Sequence, residues 1–402
     1  MSYLQPDGSG NVYIDNNDPE TALYDFIGKL DIAGVPETVG LSEVLGRTTY
    51  EPHFAKVCDP LYNAAAMDGI MTRSASTFAA SETTPVTLRL HRDFEYVNTG
   101  AQISADCDTV IMIEDVIKTG DETVNIIQSA YPWQHVRFVG ESVVAGEMIL
   151  PSGHKIRPAD MGALAAGGFD TVTVFRRPTV GIIPTGAELV ESPEMLRPGR
   201  IMESNSHVFA ALTVECGGLP HRYPIVRDDF DELLVSIRSA VADNDIVVIN
   251  AGTSAGTKDH TLAALNTLGT VHTHGLAVKP GKPTILGHDD PSKTLLVGLP
   301  GHPVSAMMVF ALTVGWLLRQ VTGTPLPPAI PAKLTCNLAS SPGKLTCWPC
   351  SLRGEDGEYR ATPVFGKSGL ITTLTQADGY FSAPREAEGL QAGQMVMVQL
   401  FY

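Results

Sequence analysis

Apolar residues recur along the chain with two different patterns of spacing, and the change from one pattern to the other divides the sequence. Near the amino end, Leu23 and Phe26 follow Asp18 at helical spacing, which predicts an amphipathic helix capped by Asp18. Between residues 85 and 139, short β-branched and apolar segments alternate with turn residues. That pattern predicts a small β-rich module. Residues 1–17 are polar and acidic and are expected to form a flexible tail.

From Thr179 onward, short apolar strands alternate with amphipathic helices. Strands are predicted near residues 181, 223, 246, 276 and 295, and helices over 204–216, over 229–242, from about 259 and from about 304. Because parallel strands are joined by helical crossovers, this alternation predicts a mostly parallel, three-layer α/β domain. After the proline-rich segment 324–328 only strand-like runs remain, which predicts a small terminal β-domain.

Composition narrows the class of protein. The chain has 402 residues, with 28 Lys and Arg against 44 Asp and Glu, so its formal charge is −16. That charge excludes a nucleic-acid binder held by phosphate neutralisation. Six cysteines spread over the chain do not form the dense framework of a small secreted domain, and residues 1–17 lack a signal-peptide layout. We therefore expect a cytoplasmic protein.

One uncharged stretch, from Thr294 to Leu318, is long enough to raise the question of a membrane span. Pro300, Gly301 and Pro303 interrupt it. The remaining apolar run has the length of a buried core helix, and no membrane insertion is expected.

Three glycine-containing loops follow predicted strands, at residues 184–188, 250–256 and 299–303. In a parallel α/β sheet such loops meet at one edge, where ligands bind. Glycines in one loop can simply turn the chain, whereas three such loops favour a ligand approached by backbone amides, such as a phosphate. The spacing matches neither the dinucleotide fingerprint nor the P-loop.

Charged residues near these loops refine the prediction. Lys279 and Lys282 could balance a diphosphate, although solvated loop lysines are the alternative. Acids also occur near the loops, and hard carboxylate oxygens suit Mg²⁺: Glu188, Asp228, Asp229 and Asp259. Capping of a helix is the alternative role for each aspartate. The residues thus predict a phosphorylated ligand together with Mg²⁺.

Three further features carry weaker signals. Asp68 lies in an apolar stretch, where a buried carboxylate would need a partner, and an ordinary turn aspartate is the alternative. His272 and His274 lack a third ligand for a metal. Cys347 and Cys350 have redox spacing without the βαβ setting that a redox motif requires.

Read in chain order, the motifs resemble those of the molybdopterin molybdenumtransferases, the MoeA type of bacteria and the gephyrin E-domain of animals. The resemblance covers almost the whole chain and rests on these segments: Ala66-Met-Asp-Gly69, Asn98-Thr-Gly-Ala101, Val139-Gly-Glu141, Pro184-Thr-Gly186, Ser204-Asn205, Arg227-Asp-Asp229, Gly252 to Asp259, Lys279-Pro-Gly-Lys-Pro283, Gly298-Leu-Pro-Gly301, Pro303-Val-Ser305 and Ser368-Gly369.

The resemblance implies a four-domain, α/β multidomain fold. Its expected parts are a linking domain (18–50 with 140–177), a β-rich module (51–139), a three-layer molybdopterin-binding domain (178–326) and a C-terminal β-domain (327–402). It also implies a homodimer whose ligand site lies between subunits. Transient partners would be a molybdopterin adenylyltransferase and molybdoenzymes.

The implied activity is the insertion of molybdenum from molybdate into adenylylated molybdopterin, with Mg²⁺-dependent release of AMP. Carried over by motif, Asp68, Asp228 and Asp259 resemble the essential carboxylates, and Asp228, Asp259 and Glu188 would hold the metal. The residues that would bind the substrate are Thr99, Glu188, Gly252, Ser254, Lys279, Lys282, Pro300, Pro303 and Ser368.

The sequence departs from the family pattern at several positions, namely Ala64-Ala65, Ala187, Ala251 and, most tellingly, Ser142. The family's Gly-Glu-Asp is Gly140-Glu141-Ser142 here, so one carboxylate is replaced by a hydroxyl. A non-catalytic binder or carrier of molybdopterin is therefore an alternative to the enzyme. A molybdopterin adenylyltransferase is a third hypothesis, which the α/β domain alone would suit.

Overall fold

The computed structural model describes residues 17–30, 34–227, 229–250, 260–355 and 357–401. These residues form two compact units. The smaller unit is Glu37–Val174, and the larger unit joins the amino end up to Pro36 with Phe175 onward. The division into four domains expected from the sequence stays a prediction.

Helices are spread over both units. In chain order the α-helices are α1 (Pro19–Leu30), α2 (Pro158–Ala166), α3 (Asn205–Glu215), α4 (Phe230–Asp243), α5 (His260–Leu268), α6 (Pro303–Phe310), α7 (Trp316–Thr322) and α8 (Thr372–Thr375). A π-helical turn, Ala311–Gly315, joins α6 to α7.

Strands of the smaller unit are short. They are β1 (Pro36–Gly40), β2 (His53–Phe54), β3 (Ala64–Ala65), β4 (Gly69–Thr72), β5 (Val86–Arg89), β6 (Phe94–Val97), β7 (Thr109–Met112), β8 (Val116–Lys118), β9 (Thr123–Ile126), β10 (Val136–Arg137), β11 (Met148–Leu150) and β12 (Thr171–Phe175).

The larger unit contains the remaining strands. They are β13 (Thr179–Pro184), β14 (Leu189–Val190), β15 (Ile201–Met202), β16 (Leu219–Arg222), β17 (Ile246–Asn250), β18 (Gly269–His274), β19 (Val278–Lys279), β20 (Ile285–Asp289), β21 (Leu295–Leu299), β22 (Ala329–Leu334), β23 (Leu338–Ala339), β24 (Leu345–Glu355), β25 (Glu358–Pro363), β26 (Gly379–Ala383), β27 (Gly389–Leu390) and β28 (Met395–Leu400).

The central sheet of the larger unit has the order β16-β13-β17-β21-β20-β18. Its first four strands are parallel, and β20 and β18 pair antiparallel at one edge. Residues of β17 alternate between two cores, since Ile246 and Val248 pack on one face and Val247 and Ile249 on the other. A sheet buried on both faces reads as a continuous apolar run, which is why the sequence pattern detected it.

Helices cover both faces of this sheet, as the three-layer prediction requires. On one face, α3 and α6 pack together through Phe209 and Phe310, whose rings stack with centroids 5.2 Å apart. On the other face, α4 presents Leu233 and Ile237, and α5 presents Leu265. The fold class predicted from the sequence is confirmed.

The carboxyl-terminal strands close into a small barrel. Successive pairing of β24, β25, β22, β28 and β26 returns to β24. Cys350 points into the barrel core, whereas Cys347 points into the core of the α/β layers. Burial raises the pKa of both thiols to about 12. The two cysteines lie on opposite faces of one strand and do not form a redox pair.

The smaller unit is built from small antiparallel sheets. In one of them β4 is flanked by β6 and β7, and Ile70 at its centre is fully buried. In another, β9 lies between β5 and β8. The β-rich character predicted for residues 85–139 is confirmed.

Two strand predictions in the larger unit are wrong in position. The strand expected near residue 223 is β16, which ends at Arg222, because Pro224 lacks the N–H that a ladder needs. Val226 nevertheless stays buried. The strand expected near residue 276 lies outside the central sheet, since β19 pairs with β24 of the barrel. The sheet instead uses β18 and β20, which the pattern did not predict.

The run Pro303–Thr322 is apolar and long enough, by length and composition alone, to cross a membrane. Most of an 18-residue window within it, 72%, is buried in the fold, in agreement with the core helix predicted there. Such burial is typical of the core helix of a globular protein.

A buried carboxylate organises the amino end of α2. Asp160 accepts hydrogen bonds from Arg157 N at 2.8 Å, from the Arg157 guanidinium at 3.0 Å and from His154 Nε2 at 2.7 Å. The Arg157 guanidinium, with further help from His154, holds the pKa of Asp160 well below its ordinary value of 3.8. Because the folded-state pKa is depressed, the stabilisation is complete above the ordinary value and disappears as the pH falls through the folded-state pKa.

We predict that Asp160→Asn lowers the free energy of unfolding by about 2 kcal/mol at pH 7, since charged hydrogen bonds are lost. The difference from wild type should narrow on acidification to pH 3, as measured by urea unfolding. The matched control is Asp170→Asn, which changes an exposed aspartate of the same unit. Equal losses at both pH values would contradict the prediction.

Candidate functional site

The ends of three parallel strands lie side by side in the larger unit. Pro184 at the end of β13 is in register with Asn250 of β17, and Asn250 is in register with Leu299 of β21. The chain segments that follow these residues therefore start at one edge of the sheet. This is the edge at which α/β proteins bind ligands, and the loops beginning at 184 and 299 meet there as predicted.

Two buried asparagines join the segments at this edge. Asn205 Nδ2 donates to Asn250 Oδ1 and to the Gly301 carbonyl, both at 2.8 Å. Asn250 Nδ2 donates to the Pro300 carbonyl at 2.9 Å. Thr185 N donates to the Asn250 carbonyl at 3.0 Å. Each buried amide donates to a backbone carbonyl of the loop before α6, so the two amides fix that loop relative to β17 and α3.

A cleft of about 660 Å³ opens at this edge. Its walls come from the strand-end loops, the start of α3, the start of α6 and a loop of the carboxyl-terminal region. Residues that line it include Thr185, Glu188, Glu203, Asn205, Asn250, Pro283, Pro300, His302, Pro303, Ser305 and Gly369. The structure therefore brings together Glu188, Pro300 and Pro303 from the predicted set.

Glu188 reaches the cleft because of the turn before it. Gly186 has φ +151°, a conformation that side chains rarely adopt, and a Cβ there would lie 3.0 Å from the Glu188 carboxylate. The backbone conformation favours glycine here, and a larger residue would also have to displace the Glu188 carboxylate. The Glu188 side chain is exposed at the cleft and offers carboxylate oxygens to a ligand.

Glu203 is a buried carboxylate in the cleft wall that sequence reasoning missed. Its oxygens accept hydrogen bonds from Ser206 N at 2.8 Å and from Ser206 Oγ at 2.6 Å. Arg222 lies 3.7 Å away from the carboxylate. These contacts identify Glu203 chiefly as a support for the start of α3.

Two loops from later in the chain complete the cleft. His302 Nδ1 lies 2.8 Å from Ser368 Oγ, which brings the predicted residue Ser368 to the rim. Pro283 lines the cleft next to Lys282. The Lys279 ammonium donates to Ser341 Oγ at 2.7 Å, so in this structure Lys279 is directed at the carboxyl-terminal region.

In the smaller unit, Asp68 and Thr99 form a pair. Gly69 at the start of β4 is in register with Val97 at the end of β6, and this pairing brings the flanking residues together. The Asp68 carboxylate accepts from Thr99 N at 2.6 Å and from Thr99 Oγ1 at 2.8 Å. The backbone amide of Thr99, followed by its hydroxyl, lowers the pKa of Asp68. Asp68 is exposed, so it is an ionised group available to a ligand.

Several predicted site residues lie outside the described residues: Asp228, Gly252, Ser254 and Asp259. Asp229 is described and caps α4, with its carboxylate accepting from Glu232 N at 2.9 Å. Helix capping, the alternative raised for this aspartate, is therefore its observed role. Within the described ranges, no group of three or more His, Cys, Asp or Glu side chains could hold a metal ion.

His272 of β18 contacts a histidine of the neighbouring strand β20. His272 Nε2 lies 2.8 Å from His288 Nδ1, and the two rings stack with centroids 4.9 Å apart. Nitrogens this close share a proton and leave no room for a metal ion between them.

Ser142 is exposed, and its amide donates to the Asp59 carbonyl at 2.9 Å. The neighbouring Glu141 carboxylate accepts from Phe138 N at 3.1 Å. Glu141 therefore stabilises its own turn.

The chain matches known protein families along almost its entire length. Residues 19–168 match the model described as "MoeA N-terminal region (domain I and II)". Residues 181–320 match the model described as "Probable molybdopterin binding domain". Residues 331–401 match the model described as "MoeA C-terminal region (domain IV)".

Relatives of similar length agree with these matches. A molybdopterin biosynthesis MoeA protein of Pyrococcus horikoshii has a crystal structure that superposes with a TM-score of 0.80, at 31% identity over 96% of this chain and 100% of that one. The molybdopterin molybdenumtransferase of Nostoc is 29% identical, over 95% of this chain and 92% of its own. That of Bacillus subtilis is 29% identical, over 91% and 90% respectively.

Asn250→Asp is predicted to weaken binding of inorganic pyrophosphate at the cleft by about tenfold or more, because a carboxylate oxygen would then face the Pro300 carbonyl. Calorimetric titration measures the affinity. Asn244→Asp is the matched control, since Asn244 is also buried and donates to the Ala240 carbonyl at 2.8 Å, but near the amino end of the same strand. Both variants should lose stability, and only Asn250→Asp should lose affinity. Equal affinities would refute a positioning role for Asn250.

Proposed function

This chain belongs to the MoeA family of molybdopterin molybdenumtransferases, and from that premise we propose that its strand-end cleft binds adenylylated molybdopterin during molybdenum insertion. The protein is a transferase of molybdenum cofactor biosynthesis. One observation supports the proposal that the substrate binds in this cleft. Three strand ends meet around a cavity of about 660 Å³, most of whose lining falls within the stretch matched by the molybdopterin-binding model.

The proposed reaction cleaves the phosphoanhydride of the adenylylated substrate, releases AMP and leaves molybdenum from molybdate on the pterin dithiolene. The larger unit supplies the exposed carboxylate of Glu188 to the cleft, whereas the carboxylate of Glu203 is engaged by Ser206. Carboxylates facing a diphosphate repel it unless a cation lies between them. The acidic lining therefore supports a substrate that enters together with a divalent cation.

Mg²⁺ suits the donors that this chain offers. Glu188 is a described carboxylate at the cleft, and hard oxygen ligands of this kind are those that Mg²⁺ prefers. We propose that Asp228 and Asp259, with Glu188, hold the ion, and that Asp68 acts as a further essential carboxylate. When bound, Mg²⁺ would neutralise charge on the phosphates as the anhydride breaks.

The remaining predicted residues are proposed to bind the substrate. Gly252 and Ser254 would offer backbone and hydroxyl donors, Lys282 a positive charge, and Pro300 and Pro303 a rigid wall. Lys279 would have to exchange its contact with Ser341 for one with the ligand. Thr99 would act together with Asp68, to which it is hydrogen-bonded.

AMP release tests the function directly. The purified protein is incubated with adenylylated molybdopterin, molybdate and Mg²⁺, and AMP is measured by chromatography. We expect molybdate-dependent AMP release. Tight binding of the pterin without turnover would favour the carrier hypothesis, and consumption of ATP without molybdate would favour the adenylyltransferase. The relatives' shared activity does not favour the carrier, and matches to both flanking MoeA regions disfavour the adenylyltransferase.

Glu188→Gln is predicted to raise the Mg²⁺ concentration that gives half-maximal AMP release by roughly tenfold, because a neutral amide attracts the cation less than a carboxylate does. The measurement is a Mg²⁺ titration of initial rates. Glu191→Gln is the control, since Glu191 is exposed nearby but does not line the cleft. An unshifted midpoint in Glu188→Gln would remove Glu188 from the proposed metal site.

We also propose that the chain is a cytoplasmic homodimer that makes transient contact with a molybdopterin adenylyltransferase and with molybdoenzymes. All six cysteines are free thiols, which suits a reducing compartment. An exposed apolar patch on the smaller unit, formed by Leu61, Tyr62, Phe138 and Val139, supports self-association. Its two segments adjoin, since Val139 N donates to Asn63 Oδ1 at 3.1 Å.

Light scattering of the wild type should give about twice the chain mass of 42.9 kDa. Leu61→Asp should shift the protein toward the monomer, because a charge would be buried in the interface. Val235→Asp, which changes an exposed valine of the larger unit, should leave the mass unchanged. A wild-type protein of monomer mass at micromolar concentration would contradict the dimer.

A further inference from the structure

His302 lies at the rim of the cleft, immediately before α6. It is held against the loop that carries Ser368 by two contacts. His302 Nδ1 is 2.8 Å from Ser368 Oγ, and Val304 N donates to the Ser368 carbonyl at 3.0 Å. Both His302 and Gly369, the residue after Ser368, line the cleft. The imidazole thus lies in the cleft wall, and its contact with Ser368 holds the serine hydroxyl at the rim of the cleft.

The contact between Nδ1 and Oγ has two possible directions. When Nδ1 carries the proton, it donates to Ser368 Oγ, and the serine hydroxyl is free to donate to a ligand. When Nδ1 is bare, it accepts the hydroxyl proton, and Ser368 can only accept from a ligand. An anion in the cleft needs donors, so it selects the first arrangement.

Donors have particular value in this cleft because the exposed carboxylate of Glu188 lies in its lining. The ammonium of Lys279, which could otherwise offer positive charge, is engaged by Ser341. A phosphate entering such an acidic space binds only where correctly aimed hydrogen-bond donors meet it. A hydroxyl whose proton points at the imidazole would repel the ligand instead.

We propose that His302 is a positioning residue that fixes the Ser368 hydroxyl as a donor to a phosphate of the substrate. The inference rests on the proposed function, because it takes the phosphorylated ligand to lie in this cleft. Ser368 touches the ligand, and His302 acts through it. The two side chains form one functional unit in which either is ineffective without the other.

A double-mutant cycle with inorganic pyrophosphate as the probe tests the unit. Dissociation constants are measured by calorimetry for the full-length wild type, His302→Leu, Ser368→Ala and the double variant. We expect each single variant to bind roughly tenfold more weakly, as for loss of one hydrogen bond to a charged group. The double variant should bind no more weakly than the singles, because the second change removes nothing further.

A conservative variant distinguishes positioning from bulk structure. In His302→Asn the side-chain amide nitrogen takes the place of Nδ1 and can still donate to Ser368 Oγ, so affinity should return to within about threefold of wild type. His221→Leu, at an exposed histidine of β16, should bind as wild type does. Thermal midpoints of all variants report whether the fold is retained.

Each outcome has a defined meaning. If the losses of affinity in the two single variants multiplied to about a hundredfold in the double variant, His302 and Ser368 would act independently. That result would overturn the inference. So would wild-type affinity in His302→Leu, or failure of His302→Asn to restore binding while folded. If the wild type itself bound no pyrophosphate, the phosphate-binding role of the cleft would fall, and the inference with it.

Discussion

Burial of two amide side chains at the end of the central sheet is the constraint on which the site depends. Asn205 and Asn250 are almost completely buried, so every donor that they carry must find an acceptor inside the protein. The only carbonyls bonded to them across the cleft edge within the described residues belong to Pro300 and Gly301. The loop before α6 is consequently held in one position relative to α3. A ligand meets walls that are already organised.

The carboxyl-terminal barrel extends this organisation to the other side of the cleft. β19, which ends at Lys279, pairs in parallel with β24 of the barrel, and the loop with Ser368 is fastened to the start of α6. The α/β layers alone would thus lack one wall. The terminal region therefore contributes to the cleft as well as to the core that it shares with the α/β layers.

Apolar patterning predicted what depends on local sequence. The face of α4 that carries Leu233 and Ile237, and the doubly buried strand β17, follow from the spacing of their apolar residues. β18 escaped prediction because its residues are mixed and its partner is antiparallel. The contacts that organise the cleft could not be predicted in the same way, since they join residues 45 positions apart for Asn205 with Asn250 and 66 apart for His302 with Ser368. Loop motifs predicted the edge of the sheet at which the cleft lies, and the contacts that support the cleft became evident only from the fold.

The larger unit is discontinuous in the chain, which has a consequence for biosynthesis. Leu23 and Phe26 of α1 belong to the same core as Phe310, so this core cannot form until most of the chain has left the ribosome. The smaller unit is contiguous from Glu37 to Val174 and can fold first. Once this unit has folded, the chain segments that precede and follow it lie close together. A hydrogen bond from Arg176 N to the Val35 carbonyl, 2.7 Å long, then joins these two segments. If these residues were unfolded, bringing the two segments together would mean closing a flexible loop of roughly 140 residues, which costs entropy. Because the insertion folds first, the nascent chain avoids that cost.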